Sequence, residues 1–272
     1  MNYKFIDENG KHLHTLDDKS LTGTTSIIDV LAKPLTWWAS GMAVGKLGWV
    51  TEKKRINGKY VVVNTLEQRL ESATKHLEIV KTLTPEAYLN LLDEAYKAHK
   101  TSLDKSARTG TNLHAELEKF VKAEMGIWNY EDEDLDPKIK PFIEWSKKNV
   151  EEYLWSEAHC FDEELWIGGV SDAGAKLKDG KLAIFDFKSS KEAFANQFIQ
   201  VAGYAIQIEK NGLWDKNGEK NKKLEGKIDT LFIVPFGAEI IEPVARYDVD
   251  AYKEGFRWAV GLYRLLGLTD EN

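Results

Sequence analysis

Gly168-Gly169-Val170-Ser171-Asp172, then Lys178-Asp179-Gly180, then Lys181-Leu182-Ala183-Ile184-Phe185-Asp186-Phe187-Lys188 is the stretch whose reading decides the fold. The last run alternates, so Asp186 and Lys188 leave a strand on one face while Phe185 and Phe187 leave on the other. The two glycines before Asp172 mark a strand that backbone or ligand can approach closely. Lys178-Asp179-Gly180 between the two runs is a hairpin signal. With Asp179-Gly180 as a two-residue loop, Lys178 faces Lys181 and Asp172 faces Phe187, and the aspartates part to opposite faces. With Lys178-Asp179-Gly180 as a three-residue loop and Gly180 in the left-handed position, Leu177 faces Lys181 and Asp172 faces Asp186. The second register is the expectation: it pairs two carboxylates beside Lys188. Close carboxylates repel unless one takes a proton or a hard cation sits between them, and oxygen ligands suit Mg²⁺ or Mn²⁺.

Working outward, the chain from about Ser26 to Glu151 reads as mostly helical. Ser26 caps a short helix reaching Ala32, and Trp37-Trp38-Ala39 lies in a second. Thr65 to Lys81 is a long helix. Thr84-Pro85-Glu86 starts another toward Lys100, with proline at the first helical position. Ser106 to Glu124 is read as a separate helix stopped by Gly126, Glu131 to Asp136 as an acidic loop, and Pro137 as the restart of a helix toward Tyr153. Strand-like runs then cover Trp155 to Phe161, Leu165 to Lys178 and Lys181 to Lys188. Glu192 to Lys210 is helix, Thr230 to Pro235 a buried strand, and Ala251 to Leu265 a closing amphipathic helix. The expected fold class is mixed α/β, a central mixed sheet flanked by helices. Residues 1–105 are expected to form a mostly helical N-terminal region packed on a core of residues 106–272.

Composition excludes several classes. The chain has 272 residues, 43% hydrophobic and 30% charged, enough for a substantial core. Its longest stretch free of Asp, Glu, Lys and Arg, Ala193 to Ile208, is too short and too polar to span a bilayer. Met1 to Gly10 offers no apolar signal-peptide core, so export is not expected and a cytoplasmic location is. Cys160 is the only cysteine, which rules out an internal disulfide and any cluster held by four cysteines. A net charge of −7 argues against coating nucleic acid through global positive charge. Local basic clusters remain at Lys53-Lys54-Arg55 and at Lys216, Lys220, Lys222, Lys223 and Lys227, each readable as a solvated turn or a phosphate contact.

Two helices add chemistry. Gly110, His114 and Glu118 are spaced by four and share one helix face, from which His114 can add an imidazole to a metal shell. A role for Glu118 is left open. Gln200 and Tyr204, also four apart, follow the Asp186-Phe187-Lys188 strand on the next helix. Trp145, Trp155, Trp166 and Trp258 read as core, and His12, His14, His76, His99 and His159 form no ligand-spaced cluster.

Gly110…His114, Gly169-Val170-Ser171-Asp172, Asp186-Phe187-Lys188 and Gln200…Tyr204 together resemble, in order, the motifs of the RecB-like branch of the PD-(D/E)XK nucleases, which includes phage and mitochondrial exonucleases. The segment from Ser26 through Lys33-Pro34-Leu35-Thr36-Trp37-Trp38-Ala39 is more loosely similar to the leading segment of phage-type members. The resemblance implies a restriction-endonuclease-like core. It also implies Mg²⁺, with Mn²⁺ able to substitute, held by His114, Asp172, Asp186 and the backbone carbonyl of Phe187. Lys188 would position the attacking water and offset developing charge, and Gln200 and Tyr204 would orient Lys188 or the phosphate. The single Cys160 places the chain with members that lack an iron-sulfur cluster. The implied function is a metal-dependent DNA exonuclease of phage-type recombination or DNA processing, in a bacterial or phage-infected cytoplasm. Its implied partners are DNA and a single-strand-annealing recombinase or single-strand-binding protein, with no membrane. The alternatives are an endonuclease of the same fold, a non-catalytic DNA-binding or recombination partner, and a metal-free glycosidase using Asp172 and Asp186. Chelation separates the last from a nuclease.

Overall fold

A computed structural model describes residues 2–8, 11–31, 36–49, 52–56, 59–129, 136–237 and 241–268. The chain divides into two compact units, one of Met1–Ala32 with Thr109–Asn272 and one of Lys33–Arg108. Strands β1 (Tyr3–Glu8), β2 (Lys11–Leu16), β3 (Lys19–Ser20) and β4 (Thr22–Gly23) precede the short helix α1 (Thr24–Ile28). The second unit holds α2 (Thr36–Lys46), the hairpin β5 (Lys53–Ile56) and β6 (Lys59–Val62), and α3 (Leu66–Lys81). Helix α4 (Pro85–Glu124) begins there and ends in the first unit. Then come α5 (Lys140–Asn149), β7 (Val150–Asp162), β8 (Ile167–Leu177), β9 (Leu182–Lys188) and α6 (Ala195–Asn211). The chain closes with β10 (Leu213–Trp214), β11 (Lys220–Lys222), β12 (Thr230–Pro235), β13 (Val244–Arg246) and α7 (Val249–Leu265).

The expected mixed sheet flanked by helices is present. Its strand order is β11-β10-β7-β8-β9-β12-β13, with β4 paired to β8 in addition. Strands β7, β8 and β9 run antiparallel, while β12 lies parallel to β9. That parallel pairing needs a crossover, which contains α6. On one side Phe185, Phe187 and Phe232 pack with Phe142 of α5 and Leu117 and Phe120 of α4. On the other, Ile184, Leu231 and Ile233 meet Phe198, Val201 and Ala205 of α6. Each such fully buried aromatic or aliphatic side chain contributes about 1.5–3 kcal/mol, so the Phe185/Phe187 row is a strong anchor for the register of β9. Every residue of β12 is buried, which is why its sequence reads as a continuous apolar run. Among the described residues no helix is long and apolar enough to cross a membrane.

Several boundaries differ from the sequence reading. The two helices expected on either side of residues 101–105 are one, α4, because that stretch has no proline or glycine to stop propagation. Ser26 lies inside α1 instead of capping it; extended Gly23 holds the N-cap position, and Thr24 is drawn to the carbonyl of Gly168 at 3.0 Å. The helix from Pro137 ends at Asn149, since Val150 onward pairs with β8. Within the region expected to be mostly helical, β1, β2 and β3 form a three-stranded sheet, with Asp17 and Asp18, both at positive φ, turning the chain from β2 to β3. Residues 1–32 thus belong with the main sheet, while the expected boundary at 105/106 falls close to the division at 108/109. Thr65, expected as the first residue of a helix to Lys81, stands just outside it as the N-cap of α3, in a capping box with Gln68. Of the expected core tryptophans, Trp155 is buried but Trp258 is 71% exposed on α7. In the acidic loop read at Glu131 to Asp136, residues 131–135 lie outside the described residues, as does the segment Lys33-Pro34-Leu35.

Candidate metal centre

The hairpin between β8 and β9 adopts the three-residue register. Gly180 has φ of 85°, where a side chain is strained, and its N–H donates to the carbonyl of Leu177 at 2.8 Å. The Leu177 N–H donates to the carbonyl of Lys181 at 2.8 Å, closing the loop. Cross-strand partners run from Lys176 with Leu182 to Ala173 with Phe185, which makes Asp172 and Asp186 the next pair. Asp172 Oδ2 accepts the backbone N–H of Phe187 at 2.6 Å, tying the two strands together at the site. Asp186 is 2% exposed, and Lys188 Nζ lies 2.8 Å from its Oδ2. The alternation read from the sequence therefore holds: the phenylalanines face the apolar cluster, and the charged pair faces away from it.

Helix α4 delivers His114. Its Nε2 lies 3.3 Å from Glu157 Oε1 and 3.9 Å from Asp172 Oδ1. The rings of Phe187 and Phe236 meet the imidazole edge-on, at 5.6 and 6.5 Å between centroids, and fix its plane. His114, Glu157 and Asp172 each offer one ligand atom within 4.8 Å of the others. Glu118, four residues on, is paired with Lys122 and is not one of that group.

Glu157 was not among the expected site residues. Its position follows from the register of β7 on β8, which runs without a shift from Asp162 opposite Ile167 to Ser156 opposite Ala173 and so sets Glu157 across from Asp172. The intervening loop, Glu163-Glu164-Leu165-Trp166, has no glycine, proline or asparagine to reveal its length. Glu157 carries φ of 52°, rare for a residue with a long side chain. Three carboxylates therefore stand in a row across three neighbouring strands, countered by Lys188 and His114.

The charge crowding shows in the protonation equilibria. Burial pushes the Asp172 carboxyl up, and the charge of Asp186 adds to this; His114 and Lys188 pull the other way, leaving its pKa at about 7. Burial disfavours the charged form of His114, but the hydrogen bond to Glu157 and the charges of Asp172, Glu157 and Asp186 outweigh it, raising its pKa to about 9. Burial likewise works against Lys188, and Asp186, Tyr204 and Asp172 more than offset it, holding the ammonium above its ordinary value.

Gln200 and Tyr204 do meet, on α6. The Gln200 amide donates to Tyr204 Oη at 2.8 Å and to Thr25 Oγ1 at 3.1 Å. Tyr204 packs against β8 because residue 169 is glycine: a Cβ there would lie 2.6 Å from Tyr204 Cε1. Burial raises the Tyr204 hydroxyl's pKa, while the neighbouring Lys188 charge lowers it. A cavity of about 510 Å³ opens beside Glu157 and Tyr204, lined also by Thr25, Phe5, His14 and His159. His14 and His159, assigned no chemistry from sequence, come within 5.9 Å between ring centroids, and Tyr3 Oη lies 2.6 Å from His14 Nδ1.

No protein-family model matches the chain, and no curated protein matches it.

Proposed function

We propose that the chain is a Mg²⁺- or Mn²⁺-dependent deoxyribonuclease of the RecB-like PD-(D/E)XK type, with a restriction-endonuclease-like core, digesting DNA from its ends. The observation that carries this reading is the hairpin register, which sets Asp172 beside Asp186 with Lys188 on the same strand and His114 facing them from α4. The donor set suits a hard divalent cation: carboxylate oxygens and one imidazole, carrying more negative charge than Lys188 alone offsets once His114 binds as the neutral ring. His114 and Asp172 would hold it, with Asp186 and the Phe187 carbonyl completing the set that the resemblance implies. When bound, the cation supplies Lewis acidity at the phosphate and lowers the pKa of water.

The chain's own groups do the rest. Lys188, kept protonated by Asp186, orients the attacking water and opposes charge building on the phosphate. Gln200, Tyr204 and Thr25 form a short hydrogen-bonded row that keeps the Tyr204 hydroxyl in place beside Lys188. A net charge of −7 is poorly suited to broad capture of duplex DNA, so binding is local and end-directed. The reading places the protein in cytoplasmic DNA processing of the phage-recombination kind, alongside a single-strand-annealing or single-strand-binding protein.

The test compares linear and covalently closed circular DNA of one sequence, with Mg²⁺ and with EDTA. Linear DNA is expected to be degraded in Mg²⁺ only, and circles to survive. Rapid nicking of circles would replace the exonuclease by an endonuclease, and no cleavage of either form overturns the reading.

A further inference from the structure

The motif resemblance uses His114, Asp172, Asp186 and Phe187, and it has no place for Glu157. We infer that Glu157 holds the cation directly, through a position formed with His114 Nε2 and Asp172 Oδ1, and that this position favours Mn²⁺ over Mg²⁺. The inference rests on the proposed nuclease reading only in requiring a divalent cation at this site.

The geometry divides the carboxylates. Asp172 turns Oδ2 to the Phe187 N–H at 2.6 Å, which leaves Oδ1 on the side of His114 and Glu157. Asp186 is held by Lys188 at 2.8 Å. The donor atoms that converge within 4.8 Å are therefore those of His114, Glu157 and Asp172, drawn from α4, β7 and β8. Their side chains are 31%, 33% and 13% exposed, so water can complete a coordination shell. Mg²⁺ favours an all-oxygen octahedron and keeps its waters, whereas imidazole suits later first-row ions. Mn²⁺ accepts both carboxylate and imidazole, and a set with one nitrogen and two carboxylates fits it better.

The competing account is that Glu157 only accepts a hydrogen bond from His114. Calorimetry with Mn²⁺ alone and Mg²⁺ alone, on the full chain, reads whether the ion depends on Glu157 at all, and a cysteine variant separates direct contact from support. The wild-type protein is expected to bind Mn²⁺ more tightly than Mg²⁺, and Glu157→Gln to weaken Mn²⁺ binding about tenfold or more. Glu157→Cys provides a second reading that a merely supporting role would not move: a thiolate touching the ion shifts preference to Cd²⁺. Its signature is cadmium–thiolate absorption in the near ultraviolet. The only native cysteine, Cys160, is buried, so the signal is assignable. Mn²⁺ binding by Glu157→Gln within twofold of wild type, or no cadmium–thiolate absorption from Glu157→Cys, overturns the inference. A wild-type chain that binds no Mn²⁺ overturns both this inference and the metal-dependent nuclease. Loss of Mn²⁺ binding in Glu157→Gln, with wild-type protein that cleaves no DNA, leaves Glu157 in place and removes the nuclease.

Discussion

Replacing Asp172 by Asn removes one charge from the row Glu157–Asp172–Asp186 while keeping an oxygen to accept the Phe187 N–H. In the metal-free protein the Asp172 pKa stands at about 7, against an ordinary value of 3.8. Ionising this carboxyl therefore costs folding free energy. The cost is absent well below pH 4, grows as pH climbs from the unfolded value to the folded one, and is constant above about pH 7. His114 adds to the same slope: its pKa of about 9 means that the stability it contributes is complete below its ordinary value of 6.5 and is lost as pH rises through 9. From the Asp172 shift alone, the wild-type protein in EDTA loses about 3 kcal/mol between pH 5 and pH 8 that Asp172→Asn keeps. For a chain of this size that is a gap of roughly 6–12 °C in melting temperature, opening as pH rises. Added Mn²⁺ should close most of that gap at pH 8, because a ligand at about a hundred times its Kd stabilises only the protein that binds it, by about 2.7 kcal/mol. Thermal melts of the full chain at pH 5 and pH 8, with EDTA and with Mn²⁺, measure all four values. An Asp172→Asn variant that is no more stable than wild type at pH 8 in EDTA would refute the argument that this carboxylate is crowded.

Lys188→Ala is expected to abolish Mg²⁺-dependent cleavage while Mn²⁺ binding, read by calorimetry, persists; loss of binding would make the lysine a structural counter-ion to Asp186. Gly169→Ala puts a Cβ 2.6 Å from Tyr204 Cε1. It should cost about 1–3 kcal/mol in denaturant melts, with a matching fall in cleavage as Tyr204 is displaced. His114→Ala should weaken Mn²⁺ binding more than Mg²⁺ binding, and an equal effect on both ions would remove nitrogen from the coordination shell.

The legible part of the site is the part whose register a loop residue specified. Gly180 announced a left-handed position, and the Phe185/Phe187 alternation set the face, so Asp172 and Asp186 could be paired from sequence. Glu157 was hidden because its partner is set through Glu163-Glu164-Leu165-Trp166, where Trp166 takes φ of 48° without the glycine or asparagine that usually signals it. The N-terminal sheet was legible in part and was passed over: the sequence Asn9-Gly10 stands between Glu8 and Lys11, the paired ends of β1 and β2, and is a hairpin signal, whereas the return to β3 is made by Asp17 and Asp18 without a glycine. In α4 local propensity suggested a break between two helices, and the helix simply continued through polar residues.

The two hairpins carry unequal risk for function. A one-residue slip of β9 against β8 would turn Phe185 and Phe187 out of the cluster with Phe142 and Phe120, so the Asp172–Asp186 pairing is guarded by the core itself. The register of β7 around Glu157 is less protected, for its neighbours Ser156 and Ala158 bury little apolar surface. What fixes it lies to either side: Trp155, buried against Gly174 and donating to Ser171 Oγ at 3.1 Å, and Phe161, buried under Tyr3 and Leu16 of the N-terminal sheet. The left-handed Glu157 backbone is held between these anchors, so the small N-terminal sheet is tied to the placement of this carboxylate. Loosening it by Phe161→Ala should cost about 3–5 kcal/mol. It should also weaken Mn²⁺ binding although residue 161 lies outside the donor cluster, and unchanged Mn²⁺ affinity in that variant would show that β7 keeps its register without the sheet.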